Sequence, residues 1–132
     1  EARGVAGRVF AGPVDGYRSV AKLCARRQDG ERCVLGLFAA GTHWVQPGSA
    51  TSAAHSPGLN RAIRELDARL RRCEWLSGYE NGEARDAGTL NYACFTEHRG
   101  SGTAQLTLVA NATDDRRVRL RRLAPPPPQK AG

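Results

Sequence analysis

The chain has 132 residues, of which 40% are apolar, and its 20 basic and 13 acidic residues give a formal net charge of +7. This length indicates one domain with its own core. No stretch approaches the roughly 18 consecutive apolar residues that a membrane-spanning helix needs. Lys22 and Lys130 are the only lysines, so arginine supplies most of the positive charge. The excess favours anionic partners such as sulfated sugars, acidic proteins or nucleic acid.

The first part of the chain has the composition of short strands separated by turns. Asp29-Gly30 predicts a tight hairpin turn, because both residues tolerate the positive φ that such a turn requires. Pro47-Gly48 ends the last of these strands, and the small polar residues 48–55 predict a loop. The predicted strands are residues 8–10, 17–25, 32–39 and 42–46.

Residues 57–73 have the pattern of an amphipathic helix. Ser56 can cap the helix and Pro57 suits its first position. Apolar residues recur every three or four positions, which places them on one helix face. These residues are Leu59, Ile63, Leu66, Leu70 and Cys73. The opposite face, predicted to be solvated, carries Arg61, Glu65, Arg69 and Arg72.

The last part of the chain predicts a second hairpin and a tail. Residues 74–88 are rich in Gly, Asn, Glu and Asp, which indicates a loop. Residues 90–97 and 104–110 alternate in polarity, and the Gly-containing turn at 98–102 predicts that they pair as antiparallel strands. Beyond them, the segments 117–123 and 125–128 predict an edge strand or basic arm and a polyproline II stretch.

Four cysteines in a short basic chain favour two disulfides and an oxidising compartment. They are Cys24, Cys33, Cys73 and Cys94. Their spacing contains no C-x-x-C, so a zinc site is not supported, and the sequence leaves all three disulfide connectivities open. Asn111-Ala112-Thr113 is an acceptor sequence for N-glycosylation, which is meaningful in a secreted protein.

Two groups of motifs resemble the immunoglobulin superfamily. Cys33 is followed by Trp44 and a Val-Gln-Pro-Gly turn, and Tyr92-x-Cys94 is followed by Gly100-x-Gly102-Thr103 and an alternating strand. Together they resemble a variable-type domain over residues 33–48 and 86–109. The resemblance implies an antiparallel sandwich in which Trp44 packs on a disulfide between the sheets and Tyr92 fixes a corner. The resemblance further implies that Cys94 pairs with Cys24 or Cys33.

The predicted fold class is therefore mainly β, an immunoglobulin-like sandwich with one amphipathic helix at 57–73. The helix departs from the variable-type pattern, so a disulfide-bonded α+β domain is the alternative. In that alternative, Cys24 pairs with Cys33, and Cys73 pairs with Cys94. We predict one extracellular domain over residues 1–123 and a Pro-rich tail or stalk over residues 124–132.

Catalytic motifs are missing from the sequence. The histidines at positions 43, 55 and 98 form no metalloprotease motif, no nucleophile elbow is present, and 100–103 lacks the lysine of a phosphate loop. The sequence thus predicts a protein that is not an enzyme and has no cofactor and no metal.

The leading functional hypothesis is a recognition domain of a secreted or membrane-tethered protein, located outside the cell or at its surface. The alternatives are a factor that binds heparan-type polyanions, or a subunit that docks into an assembly through its Arg-rich strand and Pro-rich tail. Protein partners and sulfated polysaccharides are expected, and nucleic acid is not. The candidate binding residues are Arg116, Arg117, Arg119, Arg121, Arg122, His98 and Arg99.

Overall fold

The structure, a computed structural model, describes residues 4, 6–74, 76–80 and 89–111. Within these residues the chain forms one five-stranded mixed sheet and one helix. The elements in chain order are β1 (Val20–Gln28), β2 (Glu31–Gly36), α1 (Pro57–Arg71), β3 (Ser77–Gly78), β4 (Thr89–His98) and β5 (Thr103–Ala110). The prediction of a mainly β protein with one helix is confirmed.

The sheet has two central strands, β1 and β4, which pair antiparallel to each other. β2 extends the sheet beyond β1, and β5 extends it beyond β4, both in antiparallel hairpins. The β1–β2 turn contains Asp29 and Gly30 at φ values of 52° and 78°. Both predicted hairpins are confirmed, because the turn residues and the alternation of polarity are local signals.

β3 is a two-residue strand that the sequence did not predict. It runs parallel to the start of β4, with Ser77 opposite Thr89 and Gly78 opposite Leu90. The following residue, Tyr79, accepts a hydrogen bond from the amide of Arg27 at 2.9 Å and donates one to the carbonyl of Leu90 at 3.0 Å. This short segment therefore bridges the ends of β1 and β4, within the region predicted to be a loop.

α1 packs against one face of the sheet and encloses the core. The apolar residues of the helix meet the inward residues of β1, β2 and β4 because strand side chains alternate between the two faces. The helix contributes Leu59, Ile63, Leu66 and Leu70. The strands and the segment before β3 contribute Ala21, Leu23, Ala25, Cys33, Leu35, Leu76, Leu90, Ala93 and Phe95.

The helix begins where the sequence predicts and ends two residues earlier. Ser56 is the N-cap, since its hydroxyl accepts a 3.1 Å hydrogen bond from the amide of Leu59, and Pro57 occupies the first turn. The last turn closes with a 3.2 Å bond from the amide of Cys73 to the carbonyl of Leu70. Cys73 therefore lies just after α1, beside the core.

Several predicted strands are absent from the described residues. Residues 8–10 belong to no strand, and Val9 and Phe10 are 96% and 85% exposed. The segment 42–46 makes only an isolated bridge, between Phe38 and Val45. These short runs lack a neighbouring strand to pair with, and composition alone does not supply one. The predicted strand at 117–123 and the Pro-rich tail at 124–132 lie outside the described residues.

The immunoglobulin-like sandwich is not confirmed. The described strands form a single sheet, and α1 is the second layer of the fold. Trp44 is 41% exposed, and its indole nitrogen donates to Asp29 Oδ2 at 3.0 Å. The expected packing of Trp44 on a disulfide is therefore wrong.

Candidate functional site

On the side opposite α1, the part of the sheet that β1, β4 and β5 form has no described helix or strand over it. We call it the open face and define it by three rows of side chains that are matched across β1, β4 and β5. The rows are Val20–Thr96–Gln105, Lys22–Cys94–Thr107 and Cys24–Tyr92–Val109. These residues alternate along their strands with the core residues, so they point away from the helix.

The open face is basic and partly apolar. Lys22, Gln105 and Thr107 are exposed, and so are Val20 at 55% and Val109 at 45%. No aspartate or glutamate occurs among its nine residues. An uncovered sheet face that combines exposed apolar side chains with positive charge is typical of a binding surface.

An amine and an aromatic ring meet at the centre of this face. Lys22 Nζ lies 4.5 Å from the centroid of the Tyr92 ring. A cation at this distance is attracted to the negative face of the ring. Tyr92 is half-buried and Lys22 is exposed, so the pair is accessible from solvent.

A buried arginine supports Tyr92 from the side of β2 and β3. The guanidinium of Arg26, which is 6% exposed, lies 4.9 Å from the Phe38 ring, 5.0 Å from the Tyr79 ring and 5.8 Å from the Tyr92 ring. Its Nη1 donates hydrogen bonds to the carbonyls of Ala25 and Asn91 at 2.8 and 3.1 Å. These contacts hold three rings around one charge, which fixes the position of Tyr92.

The four cysteines are free thiols in the structure, so the predicted disulfides are not confirmed. Cys24 lies opposite Tyr92, and Cys94 lies opposite Lys22, so these two thiols are diagonal neighbours and do not form a directly opposed pair. Cys33 is buried in the core beneath α1. Burial, together with the nearby Asp67 and Cys73, raises the pKa of the Cys33 thiol to about 12. Burial also raises the pKa of Cys24.

Two of the predicted binding residues, His98 and Arg99, lie within the described part of the chain. His98 ends β4 and is exposed, and Arg99 donates a 2.9 Å hydrogen bond to the carbonyl of Gly16. His98 is the last residue of β4 and pairs with Thr103, one row beyond the open face, and Arg99 follows in the β4–β5 turn. The predicted cluster Arg116, Arg117, Arg119, Arg121 and Arg122 lies outside the described residues.

The predicted glycosylation residue is engaged with the sheet. The side-chain amide of Asn111 donates a 3.1 Å hydrogen bond to Thr89 Oγ1, and its backbone amide donates to the carbonyl of Thr89 at 2.9 Å. Asn111 is also only half exposed. Glycosylation stays a prediction, and it requires the amide nitrogen that now bonds to Thr89.

The buried polar side-chain atoms of the described region all have hydrogen-bond partners. His55 is buried, and its Nδ1 lies 3.0 Å from Asn60 Oδ1, which also accepts from the amide of Ser52 at 3.2 Å. In this part of the chain, no three His, Cys, Asp or Glu side chains are grouped as a metal site would need. The helix that the structure describes is too short and too polar to cross a bilayer.

Sequence reasoning missed the open face. The signal was present, because Lys22 and Arg26 alternate with Ala21, Leu23 and Ala25 along one strand. The resemblance to a sandwich assigns Tyr92 the role of a corner residue. In a sandwich this face would be buried against a second sheet, so the resemblance does not assign its side chains to binding.

Comparison with known proteins gives one similarity. No protein-family model matches the chain. A protein of Protochlamydia amoebophila (strain UWE25), named as an uncharacterized RNA methyltransferase, is 31% identical over 103 residues. The aligned region covers 78% of this chain and 26% of that protein. The chain thus spans about a quarter of the length of the relative.

This similarity contradicts the prediction that the protein is not an enzyme, because the relative is named as an enzyme. The prediction was wrong. It rested on the lack of hydrolase and phosphate-loop motifs in the sequence. Those motifs are no test for a chain that aligns with about a quarter of a longer protein.

Proposed function

We propose that the chain is a segment of an RNA methyltransferase and that it contacts the RNA. The observation that carries the proposal is the 31% identity to a named RNA methyltransferase over 78% of the chain. At least part of the aligned region must lie in the folded sheet and helix, because it is longer than the undescribed remainder of the chain. The methylation of RNA is proposed for the whole enzyme, and RNA contact for this segment.

The charge of the chain supports RNA as the partner. Nucleic-acid binding draws most of its affinity from phosphates, which a basic surface attracts. The chain has a net charge of +7 and an isoelectric point of about 9.9. On the open face, Lys22 is not opposed by a carboxylate among the described residues. A basic face with an accessible aromatic ring is one feature of RNA-binding sheets.

This proposal departs from the sequence-based expectations. Extracellular location, a cell-surface protein partner, the immunoglobulin-type fold and the exclusion of nucleic acid stay untested predictions. No contact in the described region favours them over RNA. The polyanion hypothesis is closer, since sulfated sugars and RNA share the negative charge that an arginine-rich chain attracts.

The proposal can be tested by titrating the 132-residue chain into fluorescently labelled bulk transfer RNA. We expect binding that weakens steeply between about 50 mM and about 200 mM salt. Unlabelled RNA should displace the labelled RNA at lower concentration than heparin of equal charge does. Absence of RNA binding at the lower salt contradicts the proposal. If heparin displaces the labelled RNA at a lower concentration than unlabelled RNA does, the partner is a sulfated sugar and not RNA.

A further inference from the structure

We propose that the open face binds unpaired RNA bases, with Tyr92 as the stacking platform and Lys22 as the phosphate contact. The proposal rests on the proposed function, because it assumes that the chain contacts RNA. It adds the binding surface, the residues and the form of the RNA. The occupant is single-stranded RNA, as opposed to a duplex or another protein.

The ring of Tyr92 is placed where a base could reach it. Tyr92 occupies the middle strand of the three that form the open face, between Cys24 and Val109. Both neighbours are smaller than the ring. The guanidinium of the buried Arg26 lies 5.8 Å from the centroid of the Tyr92 ring. A rigidly held ring on an uncovered sheet is the arrangement on which unpaired bases stack.

Lys22 now occupies the position that a base would take. Its ammonium lies 4.5 Å from the ring centroid. A cation–π contact at an exposed site is weaker than the stacking of a base on an aromatic ring. A base can therefore displace the ammonium, and the flexible lysine side chain then reaches the phosphate of the same or the next nucleotide. Lys22 then neutralises a phosphate of the RNA while Tyr92 stacks on the base.

The chemistry of the face favours unpaired bases over a duplex. A duplex hides the flat faces of its bases and is bound mainly through many phosphate contacts. The open face has one exposed amine, that of Lys22. Apart from Lys22 and Tyr92, its side chains are Val, Thr, Cys and Gln, which can pack against bases or bond to their edges. Val20 and Val109 are the apolar rim that bases would cover.

The test is fluorescence anisotropy with labelled decauridylate and with a labelled RNA duplex of the same length. The variants are Tyr92→Leu, Tyr92→Phe and Lys22→Gln. The matched control is Arg69→Gln, which removes one positive charge from the exposed side of α1, where Arg69 pairs with Glu65. A thermal melt of each variant checks that it is folded.

We expect the wild-type chain to bind decauridylate more tightly than the duplex. Tyr92→Leu should weaken binding by about tenfold, while Tyr92→Phe, which keeps the ring, stays within about twofold. Lys22→Gln should lower the slope of log affinity against log salt by about 0.7, the value for one phosphate contact on a single strand. Arg69→Gln should change the affinity for decauridylate less than Lys22→Gln does.

A crosslink provides a readout without substitution. Ultraviolet irradiation of 4-thiouridine-substituted decauridylate bound to the wild-type chain should label peptides that contain Lys22 or Tyr92. Labelling confined to other peptides overturns the inference, even if Tyr92→Leu does not fold. Equal affinity of folded Tyr92→Leu and wild type also overturns it, and so does tighter binding of the duplex.

The failure of this inference differs from the failure of the proposed function. If transfer RNA binds but decauridylate does not, RNA contact stands and the open face is not its site. If neither RNA binds, the proposed function itself fails.

Discussion

Ser56 donates a 2.6 Å hydrogen bond from its hydroxyl to Oε2 of Glu97. The same hydroxyl accepts from the amide of Leu59, so it links the first turn of α1 to the end of β4. The first turn of α1 contains no acidic residue. Glu97, whose side chain is 12% exposed, therefore supplies the negative charge that favours a helix N-terminus. One carboxylate thus fixes the helix to the sheet.

Replacing Glu97 with Gln should destabilise the protein by about 1 kcal/mol. The amide oxygen can still accept from Ser56, so the loss measures the charge of Glu97, which acts on the helix N-terminus and on Arg99 at 4.0 Å. Urea unfolding followed by circular dichroism measures the change. Glu65→Gln is the control, because Glu65 forms an exposed ion pair with Arg69 within α1, and such pairs contribute a few tenths of a kcal/mol. Equal effects of the two substitutions would contradict the role of Glu97.

The effect of Gly58→Ala should depend on Glu97. A Cβ at position 58 would overlap with Oε2 of Glu97 and lie 3.0 Å from its Cδ. In the wild type we expect Gly58→Ala to destabilise by about 1 kcal/mol, because the carboxylate has to leave Ser56. In a Glu97→Ala background the obstacle is gone, and alanine should stabilise the helix by up to about 1 kcal/mol. A double-mutant cycle in urea checks this reversal of sign.

Gly78→Ala should be one of the most damaging single substitutions in the sheet. A Cβ at position 78 would lie 2.6 Å from Arg27 N and 2.7 Å from Arg26 O, which are backbone atoms and cannot rotate away. We expect a loss of about 3 kcal/mol, because β3 must separate from the end of β1. Gly100→Ala is the control, since no atom lies within 4 Å of its Cβ position. The midpoint of thermal unfolding distinguishes the two variants.

Alkaline pH should destabilise the fold through Cys33. Burial raises the pKa of this thiol to about 12, above its ordinary value of 9.0. Above about pH 9 the unfolded thiol loses its proton while the native thiol keeps it, so the unfolded state binds fewer protons and stability falls. The expected slope is up to about 1.4 kcal/mol per pH unit until about pH 12.

The comparison of slopes in wild type and Cys33→Ala isolates this effect. Other groups that titrate in alkaline solution contribute to both proteins, whereas the thiol contributes to one. Urea unfolding at several pH values between about 8 and about 10.5 gives the two slopes. A Cys33→Ala variant with the same slope as the wild type would show that Cys33 does not titrate in this way.

The elements that the sequence predicted well are those specified by neighbouring residues. Ser56 and Pro57 mark the start of α1, and the apolar spacing from Leu59 onward marks its buried face. Asp29 and Gly30 determine the first hairpin turn by their backbone freedom. Such signals act over a few residues and survive in any fold that the chain adopts.

The elements that the sequence did not predict depend on distant residues. Ser77 and Gly78 become a strand only because Thr89 and Leu90 lie opposite them. The next residue, Tyr79, bonds to the backbone of both Arg27 and Leu90 and so holds the segment in place. The alternation around Lys22 and Tyr92 is the same whether a second sheet or solvent covers that face. Local motifs around Trp44 and Cys94 favoured the sandwich, although a single sheet can contain the same motifs. The choice between these arrangements is made by long-range packing.

The pairing of β1 with β4 has a consequence for the order of folding. Val20 meets Thr96, so the two central strands are joined across most of the described sequence. Closing so large a loop costs chain entropy before any contact offsets the loss. We therefore expect the β1–β2 hairpin and α1 to form early and the centre of the sheet to form last. During synthesis, the apolar side of β1 stays without its partner until β4 has left the ribosome, so the growing chain is most prone to aggregate in that interval.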